Sequence, residues 1–297
     1  MRLFVVGAEG QVARSLREAA AGHADIVFGH GARPDLDLAR PETIERALAD
    51  FMPDIVVNPA AYTAVDKAEV EIAAAFEINR DGAGFVAEAA ARRGVPVIHL
   101  STDYVFDGRK ASPYVESDAV GPQSVYGQSK LEGERAVAAV NPRHVILRTA
   151  WVYSPFGSNF VRTMLRLAGE RDRLRVVDDQ VGCPTYAPDI AEAILRIARH
   201  LSDSACDPAY AGVCHLAGPD AVSWCQFARK IFQMQSERGG RAIAVDSIST
   251  SDYPTPAARP ANSRLSTARL ESVFDTRLPP LNQSLAACLD RILSGPQ

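Results

Sequence analysis

The chain has 297 residues, of which 47% are hydrophobic and 23% are charged, as is usual for a globular protein. Its 32 Lys and Arg residues against 36 Asp and Glu give a formal net charge of −4, without the positive surplus of a nucleic-acid-binding protein. No apolar run reaches the roughly 18 residues of a membrane helix, and the N-terminus does not resemble a secretory signal, so we expect a cytoplasmic globular protein.

The first half of the chain alternates short apolar runs with longer helical patterns. The predicted strands are Leu3–Val6, Asp25–Phe28, Asp54–Asn58, Pro96–Ser101 and His144–Thr149. The predicted helices run from the Gly7–Gly10 turn to about Ala21 and over Pro41–Phe51, Glu69–Arg93 and Val125–Val140. Strands rich in Val and Ile that alternate with helices predict a parallel sheet with helices on both faces. We therefore predict an α/β fold with a doubly wound, Rossmann-type sheet.

The second half of the chain is less regular. Its helical patterns cover Asn159–Gly169, Asp189–Leu201, Trp224–Ser236 and Asn282–Leu293. Three prolines within Asp252–Pro260 predict a loop. We interpret residues 151–297 as a smaller, mixed α/β substrate-binding cap, some of whose segments return to the main sheet, and residues 1–150 as the dinucleotide-binding domain.

A glycine turn after the first predicted strand is the evidence for dinucleotide binding. Gly7-Ala8-Glu9-Gly10-Gln11-Val12-Ala13 connects this strand to the first helix. Small residues let the backbone approach a pyrophosphate, and the helix N-terminus presents free N–H groups to it. Ala13 stands where a third glycine is usual. A tight turn without a ligand is the alternative interpretation.

The segment after the second predicted strand bears on the choice of cofactor. Gly29-His30-Gly31-Ala32-Arg33 lacks the carboxylate that holds the adenosine ribose in NAD-binding folds. Arg33 could meet a ribose 2′-phosphate, which favours NADPH over NADH, although a solvated loop charge explains Arg33 equally well. The adjoining Asp37-Leu38 pair could flank the adenine.

Tyr126 and Lys130 are the candidate catalytic pair. Four residues apart on a predicted helix, they share one face. A nearby ammonium lowers the pKa of a phenol from about 10, which gives an acid/base able to protonate an alkoxide. Thr102 and Asp103 follow the fourth strand, at the sheet edge where ligands bind. Thr102 could orient the tyrosine or a carbonyl, and Asp103 could accept a sugar hydroxyl.

Taken together, these motifs resemble the extended short-chain dehydrogenase/reductase family and, within it, the dTDP-4-dehydrorhamnose reductases. The similarity covers nearly the whole chain, at GAEGQVA (7–13), VVNPAAYTAVDKAE (56–69), STDYVFDG (101–108), VYGQSKLEGE (125–134), RTAWVY (148–153), NFVRTML (159–165), VVDDQVGCPT (176–185) and YPTPAARPANSRL (253–265). It implies NAD(P)H-dependent reduction of the 4-keto group of dTDP-4-dehydro-L-rhamnose to dTDP-L-rhamnose, with Tyr126 as proton donor. The alternatives are a related nucleotide-sugar 4-ketoreductase or epimerase, or a noncatalytic regulatory subunit of the same fold.

The resemblance also implies a role for individual residues. Contacts to the cofactor are implied for Gly7, Gly10, Gln11 and Val12 at the pyrophosphate, Asp37 and Leu38 at the adenine, and Ala61, Tyr62, Thr63, Tyr126 and Lys130 near the nicotinamide ribose. Contacts to the substrate are implied for Thr102, Asp103 and Trp151 at the sugar, and for Arg259, Asn262 and Ser263 near the nucleotide. The implied partner is a dTDP-sugar, with no nucleic acid or membrane. The resemblance allows a homodimer with Mg²⁺ at its interface, but no acidic cluster marks such a site.

Several of these residues have plainer interpretations. Trp151 and Tyr62 could belong to the core, and Arg259 could be a surface loop charge. Asp66, Lys67 and Glu69 fit a solvated helix start better than a ligand site. The odd number and wide spacing of Cys183, Cys206, Cys214, Cys225 and Cys288 predict reduced, packed thiols. The six histidines form no metal-binding pattern, so no protein-built metal site is expected.

Overall fold

The computed structural model describes residues 1–203 and 208–294, so Cys206 lies outside the described residues. The strands are β1 (Arg2–Val6), β2 (Val27–Gly31), β3 (Ile55–Asn58), β4 (Val97–Thr102), β5 (His144–Thr149), β6 (Val152–Tyr153), β7 (Arg173–Val177), β8 (Val181–Gly182), β9 (Thr185–Tyr186), β10 (Gly212–His215), β11 (Val222–Ser223), β12 (Ala244–Ile248) and β13 (Asn262–Ser263). The α-helices are α1 (Gln11–Ala21), α2 (Pro41–Phe51), α3 (Val65–Ala68), α4 (Ile72–Phe76), α5 (Ala83–Ala91), α6 (Val125–Val140), α7 (Phe160–Ala168), α8 (Ala187–Asp203), α9 (Trp224–Ser236), α10 (Ala268–Phe274) and α11 (Leu281–Leu293).

Six strands form one parallel sheet in the order β10-β5-β4-β3-β1-β2. Alternate side chains of β1 point to opposite faces, as the two-residue period of a strand requires. Leu3 and Val5 join a core that includes side chains of α1 and α8. Phe4 and Val6 join a core that includes side chains of α2 and α5. Both faces are therefore covered, which confirms the predicted doubly wound α/β fold.

The second strand differs from its prediction: it covers Val27–Gly31 rather than Asp25–Phe28. Two glycines continue the strand because large side chains occupy the space beside them. A Cβ atom at Gly29 would lie 2.3 Å from the Phe51 ring, and one at Gly31 would lie 2.7 Å from Leu36 Cδ1. In β2 these glycines therefore allow close packing rather than ending the strand.

The predicted helix Glu69–Arg93 is interrupted. A π-helical turn at Glu77–Gly82 separates α4 from α5. The wider turn carries the buried side chain of Asn79, which accepts a hydrogen bond from the Tyr62 N–H at 2.8 Å and donates to Ser129 Oγ at 2.9 Å. Single π turns inside helices are frequent at functional sites. Alanine-rich periodicity gives no sign of this break, because it depends on partners from two distant segments.

The rest of the second half forms the cap and adds one strand to the sheet. A parallel pair, β7 with β12, and a three-stranded sheet, β11-β8-β13, lie outside the main sheet. The helix α10 and these short strands were not predicted from the sequence. Because β10 pairs with β5, the chain after residue 150 contributes to the main sheet. The exact division between domains stays a prediction.

None of the described helices is long and apolar enough to cross a membrane. The four cysteines in the described part of the chain, Cys183, Cys214, Cys225 and Cys288, are buried free thiols.

Candidate active site

The helix α6 starts at the carboxyl edge of the sheet and carries the Tyr126/Lys130 pair. Its first turn is capped by Ser124 Oγ, which accepts from the Gly127 N–H at 3.2 Å, and by Glu69 Oε1, which accepts from the Val125 N–H at 2.9 Å. A Cβ atom at Gly127 would lie 2.3 Å from the Tyr104 carbonyl oxygen. The absence of a side chain at Gly127 thus lets α6 begin directly against the segment that follows β4.

Lys130 is 2% exposed, and protein groups orient its ammonium. Its Nζ donates to the Leu100 carbonyl oxygen at 2.6 Å and lies 3.4 Å from His99 Nε2. Burial, reinforced by the charge of Lys130, keeps the pKa of His99 well below its ordinary value, so the neutral ring offers Nε2 as an acceptor. An ammonium has three protons, and the third can bind a ligand hydroxyl.

Burial also sets the charge of Lys130. It lowers the pKa of the ammonium from 10.5 to about 8, although Glu134 opposes the shift. We therefore expect kcat/KM to fall as pH rises through about 8, because deprotonation begins well below the ordinary lysine pKa. A pH profile of kcat/KM, which reports groups of the free enzyme, measures this loss. Lys130→Arg should abolish it, since a guanidinium stays charged. The same fall in both proteins would assign the titration to another group.

Burial shifts the pKa of Tyr126 in the opposite direction from that of Lys130. Burial raises the pKa of its half-buried phenol to about 12; the neighbouring Thr102 hydroxyl lowers it, and the Asp103 charge raises it. The expectation that Lys130 lowers the pKa of Tyr126 is wrong for the protein alone. Its ammonium is directed to Leu100 and His99, and burial of the phenol dominates. Tyr126 is consequently protonated near neutral pH, which is the form that donates a proton.

Thr102 and Asp103 form a polar pair at the end of β4. The Thr102 hydroxyl donates to Asp103 Oδ1 at 2.9 Å and accepts from the Tyr104 N–H at 3.2 Å. Asp103 Oδ2 is buried and has no hydrogen-bond partner among the described residues. Burial raises the pKa of Asp103 to about 6, opposed by the hydroxyls of Thr102 and Ser263. An unpaired buried carboxylate oxygen is costly, so a ligand hydroxyl donor would be favourable here.

The glycine turn has the geometry that a pyrophosphate requires. Gly7 has a φ of +104°, in the left-handed region that favours glycine. Gly10 is the N-cap of α1. It has no side chain, so no side-chain hydrogen bond caps the first N–H groups of that helix. A Cβ atom at Gly10 would have no heavy atom within 4 Å, so open space lies beside these donors. The chain therefore fits a phosphate group at this position.

Gln11 links this turn to the cap. Its side-chain Oε1 accepts from Ser154 Oγ at 2.7 Å and from Asn159 Nδ2 at 3.0 Å. Its side-chain donor Nε2 is directed to the Val152 carbonyl oxygen at 3.5 Å, so the backbone N–H of Gln11 is the group best suited to a phosphate.

A cavity of about 470 Å³ continues from the turn along the carboxyl ends of the strands. Exposed Arg33 lies on its wall, and Asp37 there caps its own loop by accepting from the Ala39 N–H at 3.1 Å. The predicted cofactor residues that line this cavity are Gly7, Arg33, Asp37, Leu38, Ala61 and Tyr62. Exposed Thr63 is outside this lining. The cavity thus gathers residues from three separate loops beside the glycine turn.

Trp151 packs against two separate hydrophobic clusters. Its φ of 49° is unusual for a large side chain. Its ring stacks on Trp224 with centroids 3.4 Å apart, and a Cβ atom at Gly182 would lie 2.4 Å from Trp151 Cε2. Sequence reasoning missed Trp224, because the first residue of a predicted helix carries no sign of a partner 73 positions earlier.

The cap contains a cavity of about 810 Å³. Aromatic side chains of Phe160, Trp224 and Tyr253 line it together with Arg175 and Arg259. Flat apolar rings beside guanidinium groups can bind a base and a phosphate in one cavity.

Two predicted substrate residues in the last motif have different surroundings. The amide of Asn262 is fully used by protein partners: it donates to the Lys110 and Ser112 carbonyls and accepts from the main chain and Nε of Arg264. Its side chain therefore holds the neighbouring loop. Buried Ser263, by contrast, lies beside Asp103 and lowers the pKa of that carboxyl.

Arg259 is paired with Asp66 across 193 positions of sequence. Lys67 is exposed, as expected of a solvated helix start. Asp66 and Glu69 depart from that interpretation, because Asp66 holds Arg259 and Glu69 caps α6.

The chain is similar over nearly its whole length to a set of known proteins. The family model described as the RmlD substrate binding domain matches residues 1–294. A dTDP-4-dehydrorhamnose reductase of Sinorhizobium fredii is 54% identical over 285 residues, covering 96% of this chain and 95% of that protein. A crystal structure of such a reductase from Clostridium acetobutylicum is 35% identical with a TM-score of 0.91, covering 99% of this chain and all of the other. The Bacillus anthracis reductase in complex with NADP is 33% identical with a TM-score of 0.88, covering 97% and 98%.

Proposed function

The chain belongs to the RmlD substrate-binding-domain family, and we propose that it is an NAD(P)H-dependent oxidoreductase that reduces dTDP-4-dehydro-L-rhamnose to dTDP-L-rhamnose. One observation carries the chemistry: protonated Tyr126, Thr102 and the buried Lys130 ammonium lie together at the carboxyl edge of the sheet. These are the groups that reduction of a ketone to an alcohol needs from a protein.

The cofactor is placed along the strand ends. Donors at the start of α1 bind the pyrophosphate, and the cavity of about 470 Å³ takes the adenosine half, with Asp37 and Leu38 at the adenine. Ala61, Tyr62 and Thr63 lead from there toward Lys130, whose third ammonium proton binds the nicotinamide ribose. When bound, the nicotinamide supplies hydride to the carbonyl carbon.

The protein supplies the proton. Tyr126 donates its phenolic proton to the carbonyl oxygen as that oxygen becomes an alkoxide, and Thr102 orients the reacting groups. The Lys130 ammonium then stabilises the resulting phenolate by its positive charge. Asp103 Oδ2 accepts a hydrogen bond from a hydroxyl of the sugar, which satisfies an oxygen that otherwise has no partner among the described residues. Trp151 and Ser263 complete the sugar contacts.

The nucleotide end of the substrate is assigned to the cap cavity. Phe160, Trp224 and Tyr253 provide apolar faces for the thymine, and the Arg259 guanidinium provides donors for the diphosphate. The two phosphate sites are therefore separate. The N-terminus of α1 binds the pyrophosphate of the cofactor, and the cap binds the diphosphate of the substrate.

A steady-state assay tests the proposed function directly. Purified protein with NADPH and dTDP-4-dehydro-L-rhamnose should oxidise the cofactor and form dTDP-L-rhamnose, identified by NMR. The C4 epimer as product would indicate a related ketoreductase. Cofactor binding without turnover would indicate a regulatory subunit.

We expect NADPH to be used at least as well as NADH. Exposed Arg33 lies on the wall of the adenosine cavity and no carboxylate stands at Gly29–Gly31 to repel a 2′-phosphate. Arg33→Ala should raise the KM for NADPH and leave that for NADH unchanged. A much higher kcat/KM with NADH, or an unchanged NADPH KM in Arg33→Ala, would contradict the assignment.

A further inference from the structure

Arg259 is held from one side by a carboxylate that belongs to the other half of the chain. Asp66, in α3, accepts from Arg259 Nη1 through Oδ1 at 3.0 Å and from Nη2 through Oδ2 at 2.8 Å. The pair is partly shielded, with 24% of the Arg259 side chain and 40% of the Asp66 side chain exposed. Two parallel bonds of this kind fix the plane and the direction of a guanidinium.

Main-chain groups of the cap loop join this pair. The Ala257 N–H donates to Asp66 Oδ1 at 3.2 Å, and Arg259 Nη1 also donates to the Ala257 carbonyl oxygen at 3.1 Å. Asp66 therefore binds both the guanidinium and the backbone two residues before it. The charge-assisted bonds from Arg259 hold the pKa of Asp66 below its ordinary value, so the carboxylate is ionised at neutral pH.

A count of donors shows what the pair leaves available. A guanidinium has five N–H groups. Nη1 uses both of its protons, on Asp66 and Ala257, and Nη2 uses one on Asp66. The second Nη2 proton and the Nε proton have no partner among the described residues. These two lie on the same edge of the guanidinium, and such an edge matches a pair of phosphate oxygens.

We propose that Asp66 is a positioning residue for the substrate diphosphate: it grips one edge of Arg259 so that the Nε–Nη2 edge faces the phosphate oxygens in the cap cavity. This inference rests on the proposed function, because it takes the ligand of that cavity to be a nucleoside diphosphate. It predicts that a negative charge close to a phosphate site strengthens phosphate binding, since the pre-oriented arginine outweighs the repulsion from the carboxylate.

Asp66→Asn is the sharpest variant. It preserves the shape of the side chain but replaces one acceptor oxygen by an NH₂ group, which cannot accept from Arg259. The binding of dTDP and of thymidine, which lacks the diphosphate, is measured by calorimetry on the full chain. We expect the Kd for dTDP to rise about tenfold, with that for thymidine and for NADPH within about twofold of the parent value.

A double-variant comparison separates positioning from a structural role. In an Arg259→Ala background, Asp66→Asn should leave dTDP binding unchanged or tighten it, because an unpaired carboxylate only repels phosphate. Asp290→Asn serves as the matched control, since it breaks an Arg–Asp pair, with Arg238 at 2.7 Å, on the surface of the cap. This control variant should change the Kd of neither dTDP nor thymidine. Asp66→Ala repeats the test if the asparagine variant does not fold.

The outcomes are decisive in both directions. An unchanged or tighter dTDP Kd in Asp66→Asn, or an equal loss for dTDP and thymidine, would overturn the positioning role. If the parent protein binds neither dTDP nor thymidine, the proposed function itself fails. That result differs from one in which the parent binds dTDP and Asp66→Asn leaves its Kd unchanged.

Discussion

Replacing Tyr126 with phenylalanine is expected to lower kcat by about 10²- to 10⁴-fold, the range typical for loss of a positioned acid/base. The aromatic ring remains, so its edge-to-face contact with Tyr104, with centroids 5.5 Å apart, is preserved. The raised pKa of the Tyr126 phenol keeps it protonated at neutral pH, so the proton to be donated is present, and phenylalanine cannot supply that proton.

The expected loss is therefore confined to the chemical step. Cofactor affinity, measured by fluorescence titration, and the thermal melting temperature should stay close to the parent values. Tyr104→Phe is the matched control, because it removes a phenolic hydroxyl from the neighbouring ring and leaves the proposed donor in place. Near-native kcat in Tyr126→Phe would show that the proton comes from another group.

Replacing Arg259 with alanine should raise the KM for the sugar nucleotide by about 10- to 100-fold. Hydrogen bonds to a charged group contribute about 1.5–3 kcal/mol, and about 1.4 kcal/mol corresponds to a tenfold change. The variant also leaves Asp66 without its guanidinium partner, so an uncompensated carboxylate remains beside the position that Arg259 occupied and repels the diphosphate. Both effects act in the same direction.

Affinity for NADPH should not change in Arg259→Ala, because the cofactor pyrophosphate is assigned to the start of α1. The readouts are a KM for each substrate and a cofactor Kd by fluorescence titration. Arg238→Ala is the control, since it removes an arginine of the cap that pairs with Asp290. Lost cofactor affinity with an unchanged sugar-nucleotide KM would mean that the two phosphate sites have been assigned the wrong way round.

Local sequence patterns were sufficient for much of the fold. The bounds of α2, α6 and α9 agree with the prediction to the residue. Hydrophobic periodicity and turn residues report on neighbours a few positions away, and these contacts decide where such helices begin and end. Prediction failed at the π turn around Asn79 and at the glycines of β2, where distant side chains determine the backbone.

In the candidate site, too, local sequence predicted some features and distant contacts decided others. Short sequence motifs predicted the candidate site residues Tyr126, Lys130, Thr102 and Asp103, because spacing on one helix and position after a buried strand are local properties. The motifs predicted a lowered pKa for Tyr126, whereas burial raises it, and burial is a property of the assembled chain rather than of a short motif.

The sequence by itself determined the parallel α/β fold, the glycine turn proposed to bind a phosphate and the proposed catalytic pair, each encoded within a short stretch of chain. Only the tertiary structure decided how these groups are oriented and charged. The hydrogen bonds of Asp66 to Arg259 join residues 193 positions apart, and the stack of Trp151 on Trp224 joins residues 73 positions apart. No local pattern specifies such pairs, because the hydrogen bonds and the burial that define them exist only after distant segments have packed together.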